Sequence, residues 1–187
     1  MPTNFDQVLI WASLALLLLG IVMVYSASVA LAGSAQPQTG FVLRHTISVA
    51  IAFVCAVVAF QVPSRRWQQF APALFWITFV LLILVLVPHI GNEAKGARRW
   101  IPLGPLNIQP SELMKLFCVL FAADYTVRKQ EYMREVLRGF LPMAVVMGVV
   151  GLLILLQPDL GAFGVVVCIA MGILFLGGIN GKLFAGL

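Results

Sequence analysis

Long apolar runs separated by short polar stretches set the pattern of this chain. The runs fall at roughly 8–31, 43–62, 70–88, 110–127, 139–156 and 161–179. Each approaches the length at which a helix crosses roughly 30 Å of hydrocarbon. None shows the strict apolar–polar alternation of a barrel strand. Lipid offers no partner to a backbone N–H or C=O, so unalternating runs of this length predict helices. The expected architecture is all-α: a polytopic transmembrane helical bundle of about six spans, forming one membrane domain over 1–187.

Between the runs lie "AGSAQPQTGFVL", "VPSRRWQQ", the stretch 89–109, "VRKQEYMREVLRG" and a very short "QPDL". Residues 89–109 read as an external loop and 128–138 as a cytoplasmic connection. In the second, Asp124–Arg128, Glu131–Arg134 and Glu135–Arg138 have the spacing of helix-surface ion pairs. No internal repeat stands out. The first run follows no Lys or Arg, whereas a cleaved signal peptide has a basic start and a shorter core. "YSASVA" resembles a cleavage site, but the run reads as a retained first helix.

Composition agrees. The 187 residues are 61% apolar and only 10% charged, with a mean hydropathy of +1.02, where a soluble domain carries about 25% charged residues. The net charge of +5 reflects basic loops at a membrane surface. No aromatic–basic interleaving supports nucleic acid as a partner. Cys55, Cys118 and Cys168 fall inside apolar runs at no metal-ligand spacing and read as small buried apolar residues. His45 and His89 are isolated, so no metal site is expected from them. Ser-His-Asp, P-loop and GxGxxG patterns are absent.

Counting Lys and Arg by connection gives a topology. After the second, fourth and sixth runs come Arg65, Arg66, Arg128, Lys129, Arg134, Arg138 and Lys182, seven in all. The opposite set is Arg44, Lys95, Arg98, Arg99 and Lys115. The positive-inside rule then places the N-terminus and the first set in the cytoplasm. The cluster at 95–115 lies outside, against the rule, and needs a reason.

That cluster reads "KGARRWIPLGPLNIQPSELMK". Lys95, Arg98 and Arg99 make a donor-rich patch suited to phosphate or carboxylate. Trp100 is an interfacial anchor type that could also stack on a sugar. A plain contact with lipid headgroups would use the same residues. Pro110 fits a first helical position, Glu112 the first turn, and Lys115 the same helix face as Glu112. The pair either lines a polar pocket or forms a salt bridge that orients the helix. "QPDLG" at 157–161 repeats the Gln-Pro-acid unit on the same side. There Pro158 suits a helix start, Asp159 a first turn and Gly161 close helix contact. A wet, polar outer cavity between the fourth, fifth and sixth spans follows as an expectation.

"GARRWIPLG…IQPSELMK", followed one hairpin later by "QPDLG", resembles the SEDS family of FtsW, RodA and SpoVE proteins. The likeness runs through the whole chain in order, and the two motifs together are specific. "FAADYTVRKQEYM" is more similar to the division branch, FtsW, than to RodA. The resemblance implies a bundle of about ten helices in the full family fold, of which this chain is the N-terminal portion. It implies a peptidoglycan glycosyltransferase that polymerises lipid II, a disaccharide-peptide on undecaprenyl diphosphate, into glycan strands during cell division. It implies a multi-pass protein of the bacterial inner membrane. The implied partners are a class B penicillin-binding protein and other divisome membrane proteins.

The matching positions are Arg99, Trp100, Gln109, Pro110, Ser111, Glu112, Lys115, Gln157, Pro158, Asp159 and Gly161. With Arg98 added, and Pro110, Pro158 and Gly161 set aside as backbone features, these are the substrate-binding candidates. Glycosyl transfer needs a base for the acceptor hydroxyl and positive charge for the departing diphosphate. Arg98, Arg99 and Lys115 are candidates for the second role. A divalent cation could share it, although the sequence presents no clear site. The family's essential aspartate lies in an external loop after the seventh helix. No catalytic residue is therefore assigned to this chain, and 1–187 alone is expected not to be a competent polymerase. Two other functions use the same residues: a lipid II flippase and a non-catalytic divisome scaffold.

Overall fold

Among the described residues, six α-helices occupy the six apolar runs. The computed structural model describes residues 6–31, 38–88, 91–94, 97–103, 106–133 and 135–178. Lys95, His89, Arg134 and Lys182, and with Arg134 the expected Glu131 pair, lie outside the described residues.

The chain divides into two units, 1–59 and 60–187. The first holds α1, Gln7–Leu31, and most of α2, Gln38–Gln61. Asp6 opens α1: its Oδ1 accepts from the N–H groups of Val8 at 3.0 Å and Leu9 at 3.2 Å, satisfying donors that a helix start leaves unpaired. Nearly every described side chain on both helices is exposed, a surface that suits lipid rather than water.

The second unit runs α3 (Ser64–Leu84), β1 (Asn92–Ala94), β2 (Ala97–Leu103), β3 (Leu106–Ile108), α4 (Pro110–Arg128), a 3-10 turn (Gln130–Tyr132), a π turn (Val136–Phe140), α5 (Leu141–Leu155) and α6 (Leu160–Leu176). Its buried residues follow helical spacing: Met114, Cys118 and Ala122 on α4, Met143, Met147, Val150 and Ile154 on α5, and Ala162, Val166, Ala170 and Leu174 on α6. With Phe75 and Leu82 of α3 they form one core. Phe75 stacks on Phe121 with ring centroids 4.2 Å apart. Helices in lipid associate through van der Waals contact, so small residues such as Ala122, Ala162 and Ala170 bring α4 and α6 together.

The protein is a multi-pass membrane protein. Gln7–Ala27, Ser64–Leu84 and Val136–Leu155 are long and apolar enough to cross a bilayer. His45–Gln61 of α2 and the 17-residue α6 are apolar but shorter. α4 has 19 residues and carries Glu112 and Lys115 near one end and Asp124 and Arg128 near the other.

Several expectations change. α3 starts at Ser64 rather than near 70, because its first turn is polar and invisible to an apolar window. The stretch read as a loop at 89–109 contains an antiparallel meander, with Glu93 opposite Arg98 and Ile101 opposite Ile108. The connection after α4 is not one helix but a 3-10 turn followed by a π turn. The backbone packs closely on itself there: a Cβ on Gly139 would overlap the Tyr132 carbonyl oxygen. Of the expected pairs, Asp124 meets Arg128, and Glu135 lies 3.7 Å from Arg138. Only Cys118 is buried; Cys55 and Cys168 are exposed on outward helix faces. Gly161 is exposed and makes no close helix contact, since a Cβ there would meet only Asp159 Oδ1 at 3.8 Å. Gly151 has that role instead: a Cβ there would come within 2.9 Å of the Phe163 ring, closer than packing allows.

Candidate functional site

The C-terminal end of α3, strand β2, the N-terminal end of α4 and the α5–α6 turn converge, and polar side chains tie them together. Gln109 precedes α4 in extended conformation, and Pro110 begins the helix, as a residue without an N–H can. Gln109 Nε2 donates to Ser111 Oγ at 2.9 Å and to Asp159 Oδ2 at 3.0 Å. Ser111 Oγ donates to the same Asp159 oxygen at 3.3 Å. Asp159 Oδ1 accepts from the Ala162 N–H at 3.1 Å.

Asp159 is therefore the N-cap of α6 rather than a first-turn residue, and Pro158 lies in the turn before it. A cap carboxylate satisfies an orphan helix donor and complements the helix dipole. Its two oxygens are both engaged, so Asp159 works as a strut between α4 and α6.

Arg99 reaches the same turn from β2. Its Nε donates to the Gln157 carbonyl at 2.9 Å, and an Nη donates to the Pro158 carbonyl. Both acceptors are neutral. Among the described residues no carboxylate forms an ion pair with Arg99, and the two contacts hold its guanidinium in place. A guanidinium also carries more N–H donors than these two contacts use. Gln157 is fully buried and donates from Nε2 to the Leu82 carbonyl at 3.1 Å, tying the turn to α3. Its Oε1 is buried without a partner. The polar contacts thus involve α3, where a cavity among the fourth, fifth and sixth spans alone was expected.

The remaining candidates are placed as follows. Glu112 and Lys115 pair with each other at 2.8 Å on the first turns of α4, with Glu112 more than half exposed. Arg98 and Trp100 alternate with Arg99 along β2, so they belong to the opposite face of the strand. Arg98 is half-buried and Trp100 is exposed. The carbonyls of Leu82, Gln157 and Pro158 were missed by sequence reasoning, and no side-chain signal could have found them.

The family of cell cycle proteins FtsW, RodA and SpoVE matches residues 7–187. This chain belongs to that family. A relative from Burkholderia thailandensis, named "Probable peptidoglycan glycosyltransferase FtsW", is 58% identical over 98% of the chain and 41% of its own length. One of the same name from Aromatoleum aromaticum is 54% identical over 97% of the chain and 45% of its own. The chain therefore spans less than half of these FtsW relatives. A solved chain of a peptidoglycan synthase complex shares 32% identity at a TM-score of 0.68, over 89% of this chain and 50% of that one. The rod shape determining protein RodA of Thermus thermophilus gives 28% and 0.62, over 89% and 55%. As an FtsW/RodA/SpoVE family member, the chain shares their helical membrane fold.

Proposed function

We propose that this chain supplies part of the lipid II site of a division peptidoglycan glycosyltransferase. The observation that carries the reading is Arg99. Its guanidinium is oriented by two backbone carbonyls, and its charge remains available to an anion. A diphosphate is the anion that such a fork suits. An oriented, uncancelled charge stabilises a departing diphosphate without reorganising during reaction. Lys115 is the second cation of the same end, with Glu112 holding it near the membrane surface. Trp100 is exposed on the other face of β2, so a sugar would reach it only around the strand edge.

No residue here is given the role of base. Asp159 is spent on the cap and the strut, and Glu112 on Lys115. The site faces outward, with the N-terminus in the cytoplasm of a bacterial inner membrane, as the Lys and Arg distribution favours. The relation to a peptidoglycan synthase complex supports a class B penicillin-binding protein as partner. The polar groups gather at helix ends while α3 runs continuously through Pro72. A flippase would place broken helices and its binding groups near the bilayer midplane, so the enzyme reading is preferred.

The test is a lipid II titration of the protein in lipid nanodiscs. Arg99→Ala and Lys115→Ala should each weaken binding about tenfold, roughly 1.4 kcal/mol. Unchanged affinity in both variants of a folded protein would favour a scaffold that binds no lipid II.

A further inference from the structure

The opposite end of the second unit carries a separate cleft of about 380 Å³, within the roughly 300–1,000 Å³ of small-molecule sites. Two helical stripes form its walls. Ser64, Trp67 and Gln68 come from the first turns of α3, and Leu120, Ala123, Asp124 and Val127 from one face of α4. Leu120 and Ala123 give the cleft an apolar side. The α3 wall has Ser64, Gln68 and the indole of Trp67, the groups expected at headgroup depth.

Both rims are basic. Arg65 and Arg66 are exposed in the first turn of α3, and Arg128 and Lys129 follow Val127 directly. Asp124 is the acid of the cleft, and it is buried in an ion pair with Arg128. Across this end five described basic residues, including Arg138, face three acids, Asp124, Glu131 and Glu135. Glu135 is likewise paired, with Arg138. The positive-inside rule assigns this end to the cytoplasmic leaflet, whose anionic lipids attract such a rim.

We propose that this cleft seats one anionic phospholipid, with an acyl chain along Leu120 and Ala123 and the phosphate between the α3 and α4 arginines. The site is independent of Arg99 and of the reaction. It differs from a diffuse basic collar in one respect: it has a shape that can be filled.

The experiment is native mass spectrometry of the full-length protein in neutral detergent. It is titrated with phosphatidylglycerol and, separately, with phosphatidylcholine of identical chains. One retained phosphatidylglycerol, preferred at least tenfold, is expected. Ala123→Trp fills the cleft at an exposed position and leaves every charge, and it should remove that preference. The exposed pair Arg65→Gln with Arg66→Gln should weaken phosphatidylglycerol several-fold without altering phosphatidylcholine. Equal retention of the two lipids would overturn the proposal and leave the cleft to an acidic segment of a partner. A phosphatidylglycerol preference that survives Ala123→Trp would overturn it in favour of the collar.

Discussion

The two ends of the second unit use polar residues in opposite ways. At the β2 end the hydrogen bonds join residues far apart in sequence: Arg99 to Gln157, Gln109 and Ser111 to Asp159, and Gln157 to Leu82. At the other end most contacts are within one turn: Asp124 with Arg128, Glu135 with Arg138, Thr126 with the Ala122 carbonyl, and Lys129 over Tyr132. Local pairs shape a surface and can be lost one at a time. Long-range bonds fix where four elements sit, and the cost of burying polar groups is accepted there for position. Such a device is expected where a charge must be aimed.

The largest effect should come from Asp159→Ala. It removes the α6 cap and leaves Gln109 and Ser111 without their acceptor, which should cost about 2–3 kcal/mol in unfolding equilibria in micelles. Asp159→Asn, which can still cap, should lose less. Next, Gly139→Ala should cost about 1–3 kcal/mol, because the new methyl must displace the Tyr132 carbonyl. Lipid II affinity should be unchanged by it, since the damage is at the far end. Ser111→Ala should cost about 1 kcal/mol by the same unfolding assay. Glu135→Ala should fall below about 0.5 kcal/mol, as expected for an exposed pair. A Glu135→Ala effect as large as that of Ser111→Ala would erase the distinction between the two ends.

Much of this was legible in the sequence. The six runs located the six helices, because lipid imposes one simple rule on the backbone. Gln-Pro-Ser-Glu and Gln-Pro-Asp marked two helix starts, and the alternation of helix direction brought both to one end. The finer geometry was not legible for physical reasons. Strands of three residues such as β1 and β3 are too short to show a period of two. Arg99 is aimed by carbonyls, which every residue possesses, so no residue type announces them. Asp159 looked like a first-turn acid because a shift of one residue separates that role from a cap. In the π turn before α5, Gly139 lies close against the Tyr132 backbone, a contact that composition does not encode.

The central claim is that Arg99 presents an oriented, uncancelled charge to a diphosphate. Undecaprenyl diphosphate, which lacks the sugar and peptide of lipid II, isolates that interaction. Its affinity should be measured in nanodiscs for the parent, for Arg99→Ala and for Arg99→Lys. The account predicts that Arg99→Ala weakens binding about tenfold and that Arg99→Lys recovers only part of it, because an ammonium cannot reproduce the fork. Equal affinity of all three would contradict it.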